Sequence, residues 1–197
     1  SFEYTTTYLS FVGDFFLLYR QVCRLHKRPY SPMVDERLEK ACDYIGTIMD
    51  ASGNVPNIGD QDSAVLVNFG LDNAQNFSSI LNTGAVLFNK REGPFFGPDI
   101  KTFLLTGSGG PGRKPCREKS HHLFAHSGLT VIRDRINDRE VLFAGNATPM
   151  GMAPLYAHGH LDALSFTLSV GGRPVFVDPG TYLYQGGGKW REYFRST

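Results

Sequence analysis

Apolar residues at Phe11, Phe15, Leu18, Val22 and Leu25 recur at steps of four, three, four and three. That spacing places them on one side of an α-helix and predicts an inward-facing stripe. Tyr8 stands seven residues before Phe15 and continues the stripe at the N-terminal end of the helix. Two prolines within "HKRPYSP" end it. Ser31 followed by Pro32 then reads as an N-cap with proline at the first helical position. Leu38, Cys42, Ile45 and Met49 form the inward face of this second helix, and "DASGN" closes it. A third helix is predicted over 74–88, with Phe77, Leu81 and Phe88 turned inward.

Residues 93–120 are rich in glycine and proline ("GPFFGPD", "GSGGPGRKP"), and beyond them the period changes to two. Leu129, Val131 and Arg133 alternate with Thr130 and Ile132, and "EVLFA", "LSFTLSV" and "PVFVD" follow as further strands. "VGGRP" between the last two reads as a hairpin turn. Helices first and strands afterwards argue for an α+β chain in two parts, 1–100 helical and 101–197 antiparallel β, and against an alternating βα fold.

The chain has 197 residues, 41% of them hydrophobic, with 20 Lys+Arg against 19 Asp+Glu and a formal net charge of +1. So even a balance speaks against a nucleic-acid sleeve or a charge-driven membrane module, and leaves room for a local basic patch facing an acidic substrate. No apolar run approaches the ~20 residues that span a bilayer. Cys23, Cys42 and Cys116 are odd in number and widely spaced, so they read as idle or buried thiols. The chain starts inside a helical pattern without a methionine and stops at "YFRST", which reads as an excerpt of something longer.

Candidate chemistry concentrates in "PLYAHGHLDALSF". In a regular strand His158, His160 and Asp162 would share a face with Leu164, Phe166, Leu168 and Val170. Imidazoles and a carboxylate beside a core stripe need partners. Metal binding, proton transfer and a plain polar strand entry are all open on residue types. The metallo-β-lactamase signature also contains His-x-His-x-Asp but continues with a second histidine; position 163 here is alanine, so a two-metal hydrolase loses a ligand. Asp178, in "VFVDPGTYLY", is a second candidate carboxylate. To meet His160 it requires "HGHLD" to leave the strand ladder and curl back. The loop "VPNIGDQDSA" carries Asp60 and Asp62 and reads as a solvated turn rather than a cation site.

The run "HGHLDALSFTLSVGGRPVFVDPGTYLYQGGGKWREYFRST" closely resembles the heparinase II/III-like family, which includes heparin-sulfate lyases and alginate lyases. "SFEYTTTYLSFVGDFFLLY", "PNIGDQDSA" and "FAHSGLTVIRD" resemble it too, so the likeness covers most of the chain. The resemblance implies the last helices of an (α/α) toroid followed by the first part of an antiparallel β-sandwich. It also implies a polysaccharide lyase that acts by β-elimination on a uronic-acid-containing glycan, hence an acidic polysaccharide partner and a periplasmic or extracellular setting.

By motif position, Tyr8 matches the family's catalytic tyrosine, the five-residue step from Glu3 favouring it over Tyr4. A core tyrosine is the alternative from the residues alone. His158 matches the histidine that neutralises the uronate or acts as base. His160 and Asp178 match two ligands of a structural metal, Zn²⁺, and Asp162 then orients an imidazole. The family's third ligand follows "RST", and another substrate-neutralising group precedes Ser1. This stretch alone is therefore expected to hold metal weakly and to be inactive. Arg191 and Arg195 are candidates to attract an acidic glycan or to serve structure; Trp190 is a sugar platform or a core residue. The rivals to a lyase are a catalytically silent glycan-binding relative and a metal-dependent hydrolase built on "HGHLD".

Overall fold

Ser31 caps the second helix as its sequence predicts: its side chain accepts the Met33 N–H at 3.3 Å, with Pro32 in the first turn. The computed structural model describes residues 5–61, 65–67, 69, 73–90, 93–112, 118–149, 151, 154–155, 157–159, 162–183 and 188–195. The chain forms two compact units that alternate along the sequence. One comprises the stretch ending at Leu9, Val55–Ala64 and the chain from Glu118 on; the other comprises Ser10–Asn54 and Val65–Arg117. The residue pattern suggests a single boundary between 100 and 101, whereas the loop 55–64 groups with the strands. The loop does so because its backbone is hydrogen-bonded there.

The helical unit holds most of α1 (Thr6–Leu25), together with α2 (Pro32–Ile48), α3 (Asn73–Leu87) and α4 (Ile100–Thr106). Leu38, Cys42, Ile45 and Met49 of the second helical segment are buried, as are Phe77 and Leu81 of α3. In α1 the predicted stripe is displaced. Phe15, Val22 and Leu25 are 52%, 46% and 72% exposed, while Ser10, Asp14, Leu17 and Gln21 are buried. The buried face is the one whose polar groups have partners. Asp14 receives the Lys101 ammonium at 2.5 Å, and the Gln21 amide donates to the Leu105 carbonyl. Apolar periodicity does not register such pairing.

α4 interrupts the Gly/Pro-rich stretch and was not legible as a helix, being seven residues long. Asp99 caps it by accepting the Thr102 N–H at 2.8 Å, and Gly107 ends it in the left-handed region at φ 76°. α2 and α3 meet where Gly84 faces Cys42, and an added Cβ would lie 2.6 Å from its Sγ. Burial also pushes the Cys42 thiol up to about 12, so it stays protonated and inert. Gly84→Val is expected to lower unfolding free energy by roughly 1–3 kcal/mol through overpacking. Urea unfolding should show a lower midpoint at unchanged slope.

The other unit carries β1 (Ser120–Phe124), β2 (Leu129–Ile136), β3 (Arg139–Asn146), β4 (Phe166–Val170) and β5 (Arg173–Phe176). They form one antiparallel sheet in sequence order. The β4–β5 turn is the predicted Gly171–Gly172 pair, with φ values of 60° and 73° that glycine adopts freely. β1 adds a strand to those that the alternating pattern predicts. Leu129, Val131, Leu142 and Ala144 are buried on one face. The opposite face carries Phe143, Phe166 and Phe176, with successive ring centroids 5.7 and 5.4 Å apart. The described residues are thus α+β with one five-stranded sheet; the second sheet of a sandwich is not among them. A short helix, α5 (Lys189–Arg195), follows β5. No helix among the described residues is long and apolar enough to cross a membrane.

Candidate functional site

The described residues of "HGHLD", 158, 159 and 162, lie outside the ladder. β4 begins only at Phe166, so the regular-strand expectation that gave 158, 162 and 164 a common face with it does not hold. Leu164 takes φ 63° and is 84% exposed, and the Ser165 N–H bonds the Asp162 carbonyl at 3.0 Å, closing a turn. Asn146, buried at the end of β3, holds this turn. Its backbone carbonyl accepts the Leu164 N–H at 2.7 Å, and its amide donates to the Asp162 carbonyl at 3.0 Å. Nothing in the sequence pattern singled out Asn146, because its role depends on the strand ending there.

His158 sits in the left-handed region at φ 61°, a costly conformation for a residue with a Cβ. Its carbonyl is held by the Asp60 N–H at 2.8 Å. Its ring lies 4.2 Å from the Tyr8 ring, centroid to centroid, tilted by 49°. Both side chains are half-buried. Tyr8 enters from the first turn of α1, where its N–H bonds the Thr5 hydroxyl at 3.0 Å. That turn is tied to the loop: the Thr6 N–H donates to the Ile58 carbonyl at 3.2 Å, and the Ile58 N–H donates back to the Thr6 hydroxyl at 3.3 Å.

The loop 57–61 is therefore no solvated turn. Asp60 is 3% exposed. The Gly59 N–H donates to the Asp162 carboxylate at 2.8 Å, which ties that carboxylate to the loop. The Asn57 amide reaches the Asp178 carbonyl at 3.3 Å, and the Thr181 hydroxyl donates to the Gln61 carbonyl at 2.8 Å. One five-residue segment thus joins the Tyr8 helix, the His158 turn and the Asp178 turn.

Asp178 is buried, and one carboxylate oxygen accepts the Gly180 N–H at 2.8 Å. His160, Asp62 and the Arg195 side chain lie outside the described residues. Among the described residues no three His, Cys, Asp or Glu side chains come together as a metal site. Arg191 faces Asp60 at 3.6 Å and Glu192 at 3.5 Å. Trp190 is 51% exposed, which removes the core reading, and its ring meets Tyr193 edge-on at 6.2 Å.

Comparison with known proteins bears on this arrangement. Residues 117–197 match the family described as "Heparinase II/III-like, C-terminal". This part of the chain is similar to that family. The match takes in His158, Asp162, Asp178 and Arg191, whereas Tyr8 meets His158 from outside it. Among solved structures, a heparinase III aligns with a TM-score of 0.68 and 19% identity over 99% of this chain. A heparan sulfate lyase mutant from Pedobacter heparinus aligns with a TM-score of 0.65, also at 19% identity and 99% coverage. These likenesses show a shared fold. The chain spans 28% of the length of either structure. No curated protein matches the sequence.

Proposed function

We propose that the chain belongs to a polysaccharide lyase that cleaves a uronic-acid-containing glycan by β-elimination, with Tyr8 and His158 as its catalytic side chains. The observation that carries this reading is the 4.2 Å approach of a phenol and an imidazole from opposite ends of the chain, within one unit. β-Elimination takes the proton from C5 of the uronate and returns one to the oxygen that leaves C4. Imidazole is the side chain that exchanges protons near neutrality, which suits His158 to the C5 proton or to the adjacent carboxylate. A phenol is a protonated donor at the same pH, which suits Tyr8 to the leaving oxygen. The clamp on the His158 carbonyl and the capped start of α1 hold the two rings in place before substrate arrives, the preorganisation such transfers need. The acidic glycan and a periplasmic or extracellular setting belong to the same proposal.

The test is to incubate the complete protein with a panel of uronate glycans, heparan sulfate and alginate among them, and follow the ultraviolet absorbance of unsaturated uronate. A rise with one glycan supports the lyase. Measured glycan binding with no rise on any of them would establish the catalytically silent relative instead.

A Zn²⁺ on His160 and Asp178 is a separate proposal, and it rests on the motif match. One imidazole and one carboxylate fall short of the four ligands of a structural zinc, so no step of the reaction is assigned to a metal. If the metal braces this region, His160→Ala lowers both bound metal and the thermal midpoint while kcat changes less. Retained metal content and midpoint would remove His160 from the ligand set.

A further inference from the structure

Arg191 matches a pattern suited to attracting an acidic glycan, but its surroundings assign it elsewhere. Its guanidinium lies between the carboxylates of Asp60, at 3.6 Å, and Glu192, at 3.5 Å, and its side chain is 22% exposed. Asp60 is almost fully buried, and a buried carboxylate needs a facing cation. The same Asp60 holds the His158 carbonyl through its backbone N–H at 2.8 Å. That bond acts on a residue whose φ of 61° persists only where the surroundings over-determine it. A line of contact therefore runs from Arg191 through Asp60 to the backbone of His158, and from its ring to Tyr8.

We infer that Arg191 is a positioning residue that acts through Asp60 on His158, and that its charge serves the buried carboxylate rather than the glycan. The inference rests on the reading of His158 as a working residue of the lyase. Asp60 is a positioning residue in the same sense. The bond from Gly59 to Asp162 and the bonds between Gln61 and Thr181 hold the loop on either side of it.

The experiment compares Arg191→Gln, Asp60→Asn, the double variant and Arg191→Lys in the complete protein. The readouts are kcat and KM for a heparan sulfate oligosaccharide, calorimetric affinity for it in a Tyr8→Phe background, and the NMR signal of the His158 imidazole. Both single variants are expected to lower kcat by about 10–100-fold, the scale of a misplaced catalytic group, at unchanged KM. The double variant should lose no more than the worse single, because the two residues act on one line. Arg191→Lys should recover most of the rate. The His158 signal should move alike in both singles.

A raised KM and weakened affinity in Arg191→Gln, with kcat and the His158 signal unchanged, would overturn the inference and make Arg191 a glycan contact. Should the unaltered protein cut no glycan, the lyase reading fails on its own terms. The imidazole signal then still decides: a shared displacement supports the line of contact, and no displacement refutes it. If Arg191→Gln does not fold, Arg191→Lys and the double variant carry the same comparison.

Discussion

Tyr8→Phe in the complete protein is expected, on the proposed lyase reading, to lower kcat by roughly 10²–10⁴-fold, the usual contribution of a positioned acid or base, with glycan affinity retained. Phenylalanine keeps the ring that packs against His158 at 4.2 Å. The start of α1 is made by Thr5, Thr6 and the Ile58 backbone, none of which the substitution touches. Only the hydroxyl and its proton are removed. Initial rates together with calorimetric affinity for a heparan sulfate oligosaccharide check this. An unchanged kcat would reject Tyr8 as a catalytic group, and a parallel loss of affinity would make it a binding group.

The largest stability effect is expected in the helical unit, at Lys101. Its ammonium is fully buried against Asp14 at 2.5 Å and donates to Asn76 at 2.7 Å. Burial pushes the Asp14 carboxyl up, and burial likewise pushes the Lys101 ammonium down, each against the attraction of the other. Desolvation thus opposes the pair, yet breaking it leaves a buried carboxylate with Asn76 and no counter-ion. Lys101→Met should cost about 3–5 kcal/mol, the range for removing one partner of a buried pair. Asp14→Leu with Lys101→Met should recover part of that loss, because no charge then stays buried. Recovery is partial since Asn76 loses a donor. Chemical denaturation of the three proteins checks the order; a double variant weaker than the single would show that the pair stabilises the fold outright.

These two residues also show where sequence patterns stop. α2 was legible because capping chemistry and apolar spacing agree at Ser31, Pro32, Leu38, Cys42 and Ile45, and α3 from the apolar spacing of Phe77 and Leu81. In α1 the two signals part. The apolar stripe through Phe15 and Val22 is exposed, and the buried side carries Asp14 and Gln21, whose partners lie in or beside a helix too short to read from periodicity. The β-hairpin at Gly171–Gly172 was legible from its turn, while the turn at Asp162–Ser165 ahead of β4 depends on Asn146, a residue with no local signature. Tyr8 and His158 could be paired only through resemblance, since their approach is a long-range event. The loop 57–61 reads as solvent-facing polarity because its one acid, Asp60, is ordinary in type. Its importance lies in backbone bonds to three other segments, which composition does not encode.

The chain contains a single tryptophan. It stands half exposed on α5, adjacent in sequence to the arginine that faces Asp60. Within this stretch, fluorescence excited selectively at tryptophan therefore has one source, and its colour and quenching report on that short helix. This stretch thus carries an unlabelled optical gauge of its own C-terminal helix, readable on adding a glycan in the test of the proposed function.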